Sequence, residues 1–295
     1  MKNYKIIAIG DNVCDKYLSR GKMYPGGQCV NTCVYAKING AETAYLGKYG
    51  SDEVAECVQK TLKQIGVDDS RCRHFEGENG FALVTLKGND RVFLGSNKGG
   101  IAKDREYNLT EEDFQNIKGF QLIYTNLNSY IEKDLQDLNA TGVPIAYDFS
   151  TRWTDEYLAE VCPYTAVVIM SCAHLTPEER EREMRKAQAY GVKIVLGTIG
   201  EAGSYVLYGD HMLYAHAVCA ENVIDTMGAG DSYFAAFLCS LLEASEGGNI
   251  IEETEEVMKK RLSKAMKKGA EFAAKVCSME GAFGYGISIQ GKTEI

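Results

Sequence analysis

A stretch near the end of the chain, IDTMGAGDS at residues 224–232, sets Gly228, Ala229 and Gly230 between two aspartates and runs into an apolar helix-like segment. The N-terminus of a helix carries about half a positive charge and several unpaired N–H groups. It seats an anion well, and glycines let that anion approach the backbone closely. Asp231, at the head of the same segment, is out of place if the only task is to hold an anion. It makes sense where a bound group must lose a proton. Asp11, Asn12 and Asp15 follow the first strand-like segment in IGDNVCD, and Gly26, Gly27 and Asn31 open the next helix-like one in PGGQCVN. Short acids and amides beside glycines suit a polyhydroxyl ligand, because carboxylates accept from hydroxyls and asparagine both accepts and donates.

The elements that must position these residues alternate. KIIAIG (5–10) reads as a buried strand and QCVNTCVYAKI (28–38) as a helix. AYLGKYG is then a strand, and SDEVAECVQKTLKQIG a helix with Val54, Val58, Leu62 and Ile65 on one face and Ser51 as its cap. The same rhythm continues through QLIYTN, IEKDLQDLNATG, PIAYDFS, DEYLAEV, AVVIMS, PEEREREMRKAQAYG and KIVLGTI. Strands separated by helices of this length predict βαβ units, hence an α/β fold with a mostly parallel sheet covered on both faces. Phe234, Phe237, Leu238 and Leu241 form a buried stripe after the glycine motif, and Leu262, Ala265, Met266, Ala273 and Val276 form another in the last helix. Two stretches break the pattern, within 15–27 and 80–100, with Gly88-Asn89-Asp90 as a hairpin tip. They predict a small β-sheet lid on a single domain spanning 1–295. Its apolar run FALVTL has no evident cover in the chain, which predicts a homodimer clasped through the lid.

Composition excludes several classes. The 45% apolar and 25% charged shares are those of a packed globular chain. A net charge of -9 argues against nucleic acid as a partner. No apolar run reaches 18 residues, so no membrane span is expected, and the N-terminal residues turn polar too quickly for a secretory leader. Ten scattered cysteines without a C-x-x-C spacing predict reduced thiols and a cytoplasmic setting. The first strand is not followed by G-x-G-x-x-G, which weighs against a nicotinamide-dependent dehydrogenase.

Taken together, the two motifs resemble those of the ribokinase-like (PfkB-type) carbohydrate kinases. Gly26, Gly27 and Asn31 match that family's N-terminal signature, and Asp225-Thr226-Met227-Gly228-Ala229-Gly230-Asp231 matches its D-T-x-G-A-G-D. The resemblance implies a three-layer sandwich and an ATP-dependent sugar kinase, with Asp231 as general base and the N–H groups of Gly228, Ala229 and Gly230 as an anion hole. It implies that Asp15, Gly27 and Asn31 hold sugar hydroxyls. It further implies that Thr198, Gly200 and Gly203 in TIGEAGS, with Thr226, lie on the nucleotide side, and that MEGAFGYG (279–286) lines the adenine pocket. Arg152 in DFSTRW lies just past a strand end, from which it could reach the triphosphate or form a surface ion pair. GDNVCD, PGGQCVN, DFSTRW and IDTMGAGDS are most similar to family members that phosphorylate fructoselysine at its 6-position. On that resemblance Asp11 faces the substrate's amine and Arg91 its distant carboxylate. Fructose, another fructosamine or glucosamine adduct, 2-keto-3-deoxygluconate or a nucleoside stay open as substrates, as does a sugar sensor without catalysis. Many members carry N-x-x-E, which orders Mg²⁺ through water; here the stretch reads Ser171-Cys172-Ala173-His174. Glu178 or Glu179 is the substitute expected to organise the Mg²⁺ of MgATP, and activation by a monovalent cation is left open.

Overall fold

The computed structural model describes residues 4–87, 90–246, 248–251 and 254–294, with the side chains of 86, 87, 90 and 91 outside that description. The chain begins with β1 (Lys5–Gly10), β2 (Val13–Tyr17), β3 (Lys22–Gly26), α1 (Gln28–Ile38), β4 (Glu42–Tyr49) and α2 (Glu53–Ile65). Next come β5 (Arg73–His74), β6 (Gly80–Lys87), β7 (Asp90–Ser96), α3 (Ile101–Asp104) and α4 (Glu111–Ile117). The middle runs β8 (Leu122–Asn126), α5 (Leu135–Ala140), β9 (Ile145–Asp148), α6 (Asp155–Val161), β10 (Val167–Ser171), α7 (Pro177–Ala189) and β11 (Ile194–Thr198). It closes with β12 (Ser204–Tyr208), β13 (His211–Ala215), α8 (Ala229–Ala244), α9 (Glu255–Val276) and β14 (Ile287–Ser288).

The main sheet has nine strands in the order β13-β12-β11-β10-β9-β8-β1-β4-β5. Strands from β11 through β5 run parallel, and β12 and β13 add an antiparallel edge. Periodicity does not signal that edge hairpin, which turns at Gly209-Asp210. Period-two alternation sends Ile6 and Ala8 of β1 to one core and Ile7 and Ile9 to the other. Helices α1, α2, α8 and α9 cover the first face, and α4 to α7 the second. This is the three-layer α/β sandwich with a mostly parallel sheet.

The smaller sheet has the order β14-β3-β2-β6-β7. Its apolar run is covered within the chain, which corrects the expectation of a bare face: Phe81, Leu83 and Val84 are all buried. Phe81 lies under the Lys16 ammonium, and Val84 packs with Tyr17, Tyr24 and Met227. Gly88 and Asn89 of the expected hairpin tip lie outside the described residues; the flanking strands pair Lys87 with Asp90. A second correction concerns α2. Its cap is Asp52, whose carboxylate accepts from Ala55 N at 3.1 Å, while Ser51 Oγ turns to Glu76 at 3.0 Å. All ten cysteines are free thiols, and all but Cys219 and Cys277 are buried.

Candidate active site

The site is organised by the N-terminus of α1. Gly27 stands there with φ +101, and a Cβ on it would lie 3.0 Å from Asn12 Cα and from Asp11 Oδ2. Only glycine fits so close an approach in that conformation. Because Gly27 has no side chain to cap the helix, Asp11 reaches across from the end of β1. Its carboxylate accepts from Gln28 N (2.9 Å), Cys29 N (3.0 Å) and Asn126 Nδ2 (2.7 Å). Asp11 is therefore committed to the backbone and to β8, which corrects its assignment to a ligand's amine. Asn12 is corrected likewise. Its Nδ2 donates to Tyr45 Oη and to Lys48 O, its Oδ1 accepts from Asn79, and it is buried. It ties β1 to β4 and to the lid.

Asp15 and Asn31 face one another across Gly26. A Cβ at Gly26 would lie 3.1 Å from Asp15 Oδ2 and 3.6 Å from Asn31 Oδ1, so its absence leaves a small polar cradle. Asn31 Nδ2 donates to Asp231 Oδ2 at 2.6 Å, joining motifs two hundred positions apart. The other end of that amide, Oδ1, is buried and has no hydrogen-bond partner among the described residues. A buried acceptor left open is costly unless a bound hydroxyl completes it.

Asp231 sits in the first turn of α8, which Gly228 opens with φ +72. The first intrahelical bond runs from Ser232 N to Gly228 O at 2.8 Å. The N–H groups before it are those that a helix start leaves over. One is less open than the anion-hole reading supposes: Ala229 N points back to Thr226 O at 3.3 Å. Gly230 is exposed and open on its Cβ side, and Thr226 is exposed. Burial of the Asp231 carboxyl pushes its pKa up to about 8, the neighbouring charge of Asp148 adds to the rise, and the Asn31 hydrogen bond opposes it. Asp225 has a different task. It accepts from Tyr17 Oη (2.6 Å), Met227 N (3.0 Å) and Gly281 N (3.2 Å), locking the motif to the lid and to the C-terminal segment.

Asp148, Gln28, Asn126 and Asn128 were not singled out from the sequence. Asp148 ends β9, is buried, and accepts from Ser150 N at 2.6 Å and from the Gln28 side chain. Desolvation lifts its pKa to about 6, against the pull of those two donors. Gln28 Oε1 accepts from Asn128 Nδ2 (2.7 Å), and Asn128 Oδ1 from Arg152 Nη2 (2.5 Å). Arg152 is exposed at the mouth of this network. The available signal was Asp148's place in DFSTRW, at a strand's carboxyl end where α/β sheets bind ligands.

Thr198 ends β11, and Gly200 and Gly203 shape the turn into antiparallel β12, so these residues do serve as a hairpin turn. A cavity of about 320 Å³ lies between residues 218–221 and the end of α9, lined by Val218, Ala220, Glu221, Ala274 and Lys275 among others. Only the middle of MEGAFGYG packs inward, with Gly281, Ala282 and Phe283 buried and Met279 and Tyr285 exposed: Tyr35 Oη donates to Ala282 O, and Gly281 and Gly286 abut the Tyr24 ring. A larger cavity of about 380 Å³ opens at the β5 edge around Asp52, Glu56 and His74, and contains none of the motif residues. In the register of the small sheet Arg91 pairs with Leu86; its side chain is outside the described residues.

The residues standing for N-x-x-E offer little to a metal. Ser171 N donates to Ser150 O at 2.7 Å, and exposed His174 lies at a tilt against Trp153. Glu179 caps α7 through Thr176 N at 2.9 Å, while Glu178 is exposed. Among the described residues no group of three or more His, Cys, Asp or Glu could hold an ion. The donor set fits Mg²⁺ that arrives on phosphates and keeps its water, and not an all-protein cage.

Known proteins resemble this chain in sequence and in fold. The family model described as pfkB family carbohydrate kinase matches residues 2–284. The chain is 39% identical to fructosamine kinase FrlD of Bacillus subtilis (strain 168), over 96% of this chain and 94% of that protein. It is 30% identical to fructoselysine 6-kinase of Shigella flexneri, over 94% of this chain and 99% of that one. Its fold is similar to that of ribokinase from Giardia lamblia, with a TM-score of 0.81 at 14% identity over 95% of this chain and 94% of that one. With both signatures brought to one site on a ribokinase-like fold, the chain belongs to the pfkB family and is an ATP-dependent carbohydrate kinase.

Proposed function

We propose that this kinase transfers the γ-phosphate of ATP to the primary hydroxyl of a fructose-amine such as fructoselysine, giving the 6-phosphate. The observation that carries the chemistry is the Asn31–Asp231 pair. A carboxyl with its proton affinity raised to about 8 is held at 2.6 Å by an amide whose second end is open to a ligand hydroxyl. The choice of substrate rests on the fructosamine and fructoselysine kinases to which the chain is similar.

In this reading Asn31 and Asp15 hold sugar hydroxyls and turn the primary one toward Asp231. Asp231 takes the hydroxyl proton as the oxygen bonds to the γ-phosphorus; the bond from phosphorus to the β–γ bridging oxygen breaks, and ADP leaves. The N–H groups of Gly228, Gly230 and the rest of the first turn of α8 stabilise charge on the transferring group, and Arg152 steadies the triphosphate. Mg²⁺ bound to the phosphates supplies further charge neutralisation. Thr198, Gly200, Gly203 and Thr226 stand on the nucleotide side. Arg91 is assigned to the substrate's α-carboxylate.

The test is ADP release with MgATP against fructoselysine, a fructosamine without a carboxylate, fructose, ribose, 2-keto-3-deoxygluconate and adenosine. Fast turnover of fructoselysine is expected, and slower turnover of the carboxylate-free amine bears on Arg91. Preferred turnover of a neutral sugar or a nucleoside would replace the substrate and keep the kinase.

A further inference from the structure

The site gathers more negative charge than phosphoryl transfer requires. One base is enough to take the hydroxyl proton, yet Asp148, only 5% exposed, stands in register with Asn126, which bonds the α1 cap Asp11, and lies near enough for its charge to act on Asp231. Helix α1 makes the two neighbours. Asn31 donates to Asp231, and Gln28, three residues earlier, donates to Asp148. The direction of the second bond follows from Gln28's other end: its Oε1 accepts from Asn128, leaving the amide N–H groups for the carboxylate. Residues at i and i+3 on a helix face have Cβ atoms about 5–6 Å apart. Two amides so spaced hold their two carboxylates side by side.

Neither donor to Asp148 carries charge, and among the described residues no lysine or arginine forms an ion pair with Asp148 or Asp231. Arg152 reaches Asp148 only through two intervening amides, Asn128 and Gln28. A buried carboxylate without a cation is unfavourable until a partner supplies one. Asp11, also nearby, accepts three hydrogen bonds from the protein and has less to offer a ligand. Asp148 accepts from two donors, with about four lone-pair sites in all. The ligand side is marked independently by Asn31 Oδ1, buried 3% exposed, unpartnered, and set toward the Gly26 cradle.

A fructose-amine in its furanose form matches this arrangement. Its primary hydroxyl on C6 and its ammonium on C1 are carried by the two carbons that flank the ring oxygen, near enough to meet neighbouring carboxylates one each. Building on the fructose-amine reading above, we propose that Asp148 is the specificity-determining residue that receives the substrate's ammonium group while Asp231 faces its primary hydroxyl. A neutral ketose leaves Asp148 buried without a counter-charge, so the same residue discriminates against it.

The experiment is steady-state kinetics with fructoselysine and with fructose on the wild-type enzyme, Asp148→Asn and Asp11→Asn. In Asp148→Asn the fructoselysine-to-fructose ratio of kcat/KM is expected to fall by about 10- to 100-fold, chiefly through the KM for fructoselysine. Asp11→Asn is expected to lower thermal stability and keep the ratio. A ratio unchanged in Asp148→Asn, or lowered equally in Asp11→Asn, overturns the assignment. Should Asp148→Asn fail to fold, Gln28→Met removes the tether and keeps the charge; calorimetric binding of the two sugars then gives the ratio, and an unchanged value overturns the proposal. A wild-type enzyme that does not prefer fructoselysine to fructose sinks the fructose-amine reading itself. A preference that survives Asp148→Asn sinks only the role of Asp148.

Discussion

In the proposed mechanism Asp231 owes its role as base to its surroundings. Burial raises its proton affinity first and the charge of Asp148 second, and together they bring the pKa to about 8. Proton transfer is most effective when the base is matched to the working pH. Asp231→Asn is expected to lower kcat by on the order of 10²–10⁴ with the fold intact; activity within a few-fold of wild type would remove Asp231 from that role. The same shift has a thermodynamic side. Because the folded-state pKa is raised above the ordinary carboxylate value, the folded protein holds this proton more tightly than the unfolded chain does. Stability linked to Asp231 is thus full at low pH and is lost as pH rises toward about 8. Asp148, raised to about 6, acts in the same direction over a lower window. Asp231→Asn is expected to melt higher than wild type at about pH 8.5, by on the order of a few °C, with the gap closing toward pH 4. Equal melting temperatures across that range would contradict the raised proton affinity of Asp231.

At the scale of elements, the N-terminus of α1 is the part on which the site depends. Gly27 opens it, Asp11 caps it, Gln28 and Asn31 project from its first turn, and Gly26 leaves room between Asp15 and Asn31. Gly27→Ala would force φ +101 on a residue with a Cβ and bring that atom to 3.0 Å from Asn12 Cα. A loss of about 1–3 kcal/mol in denaturant unfolding is expected, with a rise in sugar KM because Asn31 shifts with its helix. A variant as stable as wild type would show that the turn relaxes freely. Periodicity located this helix at 28–38, since its pattern is written in neighbouring residues. Its cap was not legible, because Asp11 lies 17 positions upstream and meets Gln28 only when β1 and α1 pack. Ser51 and Asp52 make the same point at short range: both suit a cap, and the contact with Glu76 decides between them.

At the scale of the molecule, the small sheet is fastened to the rest of the chain from several sides. Tyr17 bonds to Asp225, Tyr24 packs on the C-terminal glycines, and buried Lys16 donates to the carbonyls of Gln290 and Lys292. What stays uncovered is the edge strand β7, where Val92, Phe93 and Leu94 are exposed, Phe93 to 60%. An apolar edge strand with unpaired backbone groups invites another chain. The proposed homodimer through the lid therefore rests on β7 and not on FALVTL. Light scattering is expected to give a dimer for the wild type and a monomer for Phe93→Asp. A wild-type monomer across concentrations would dismiss the interface. No helix among the described residues is long and apolar enough to cross a membrane.

The sequence by itself determined the strand–helix alternation, the parallel sheet that follows from it, and the two glycine-acid motifs at the ends of strands and the starts of helices. These depend on side-chain period and turn chemistry, which neighbouring residues specify. Tertiary structure alone decided which groups meet. It brought Asn31 to Asp231, turned Asp11 and Asn12 into supports, drew Asp148 into the site, and covered Phe81, Leu83 and Val84 from within. Proton affinity, hydrogen-bond completion and burial are set by atoms brought together from distant parts of the chain, so they exist only once the layers have packed.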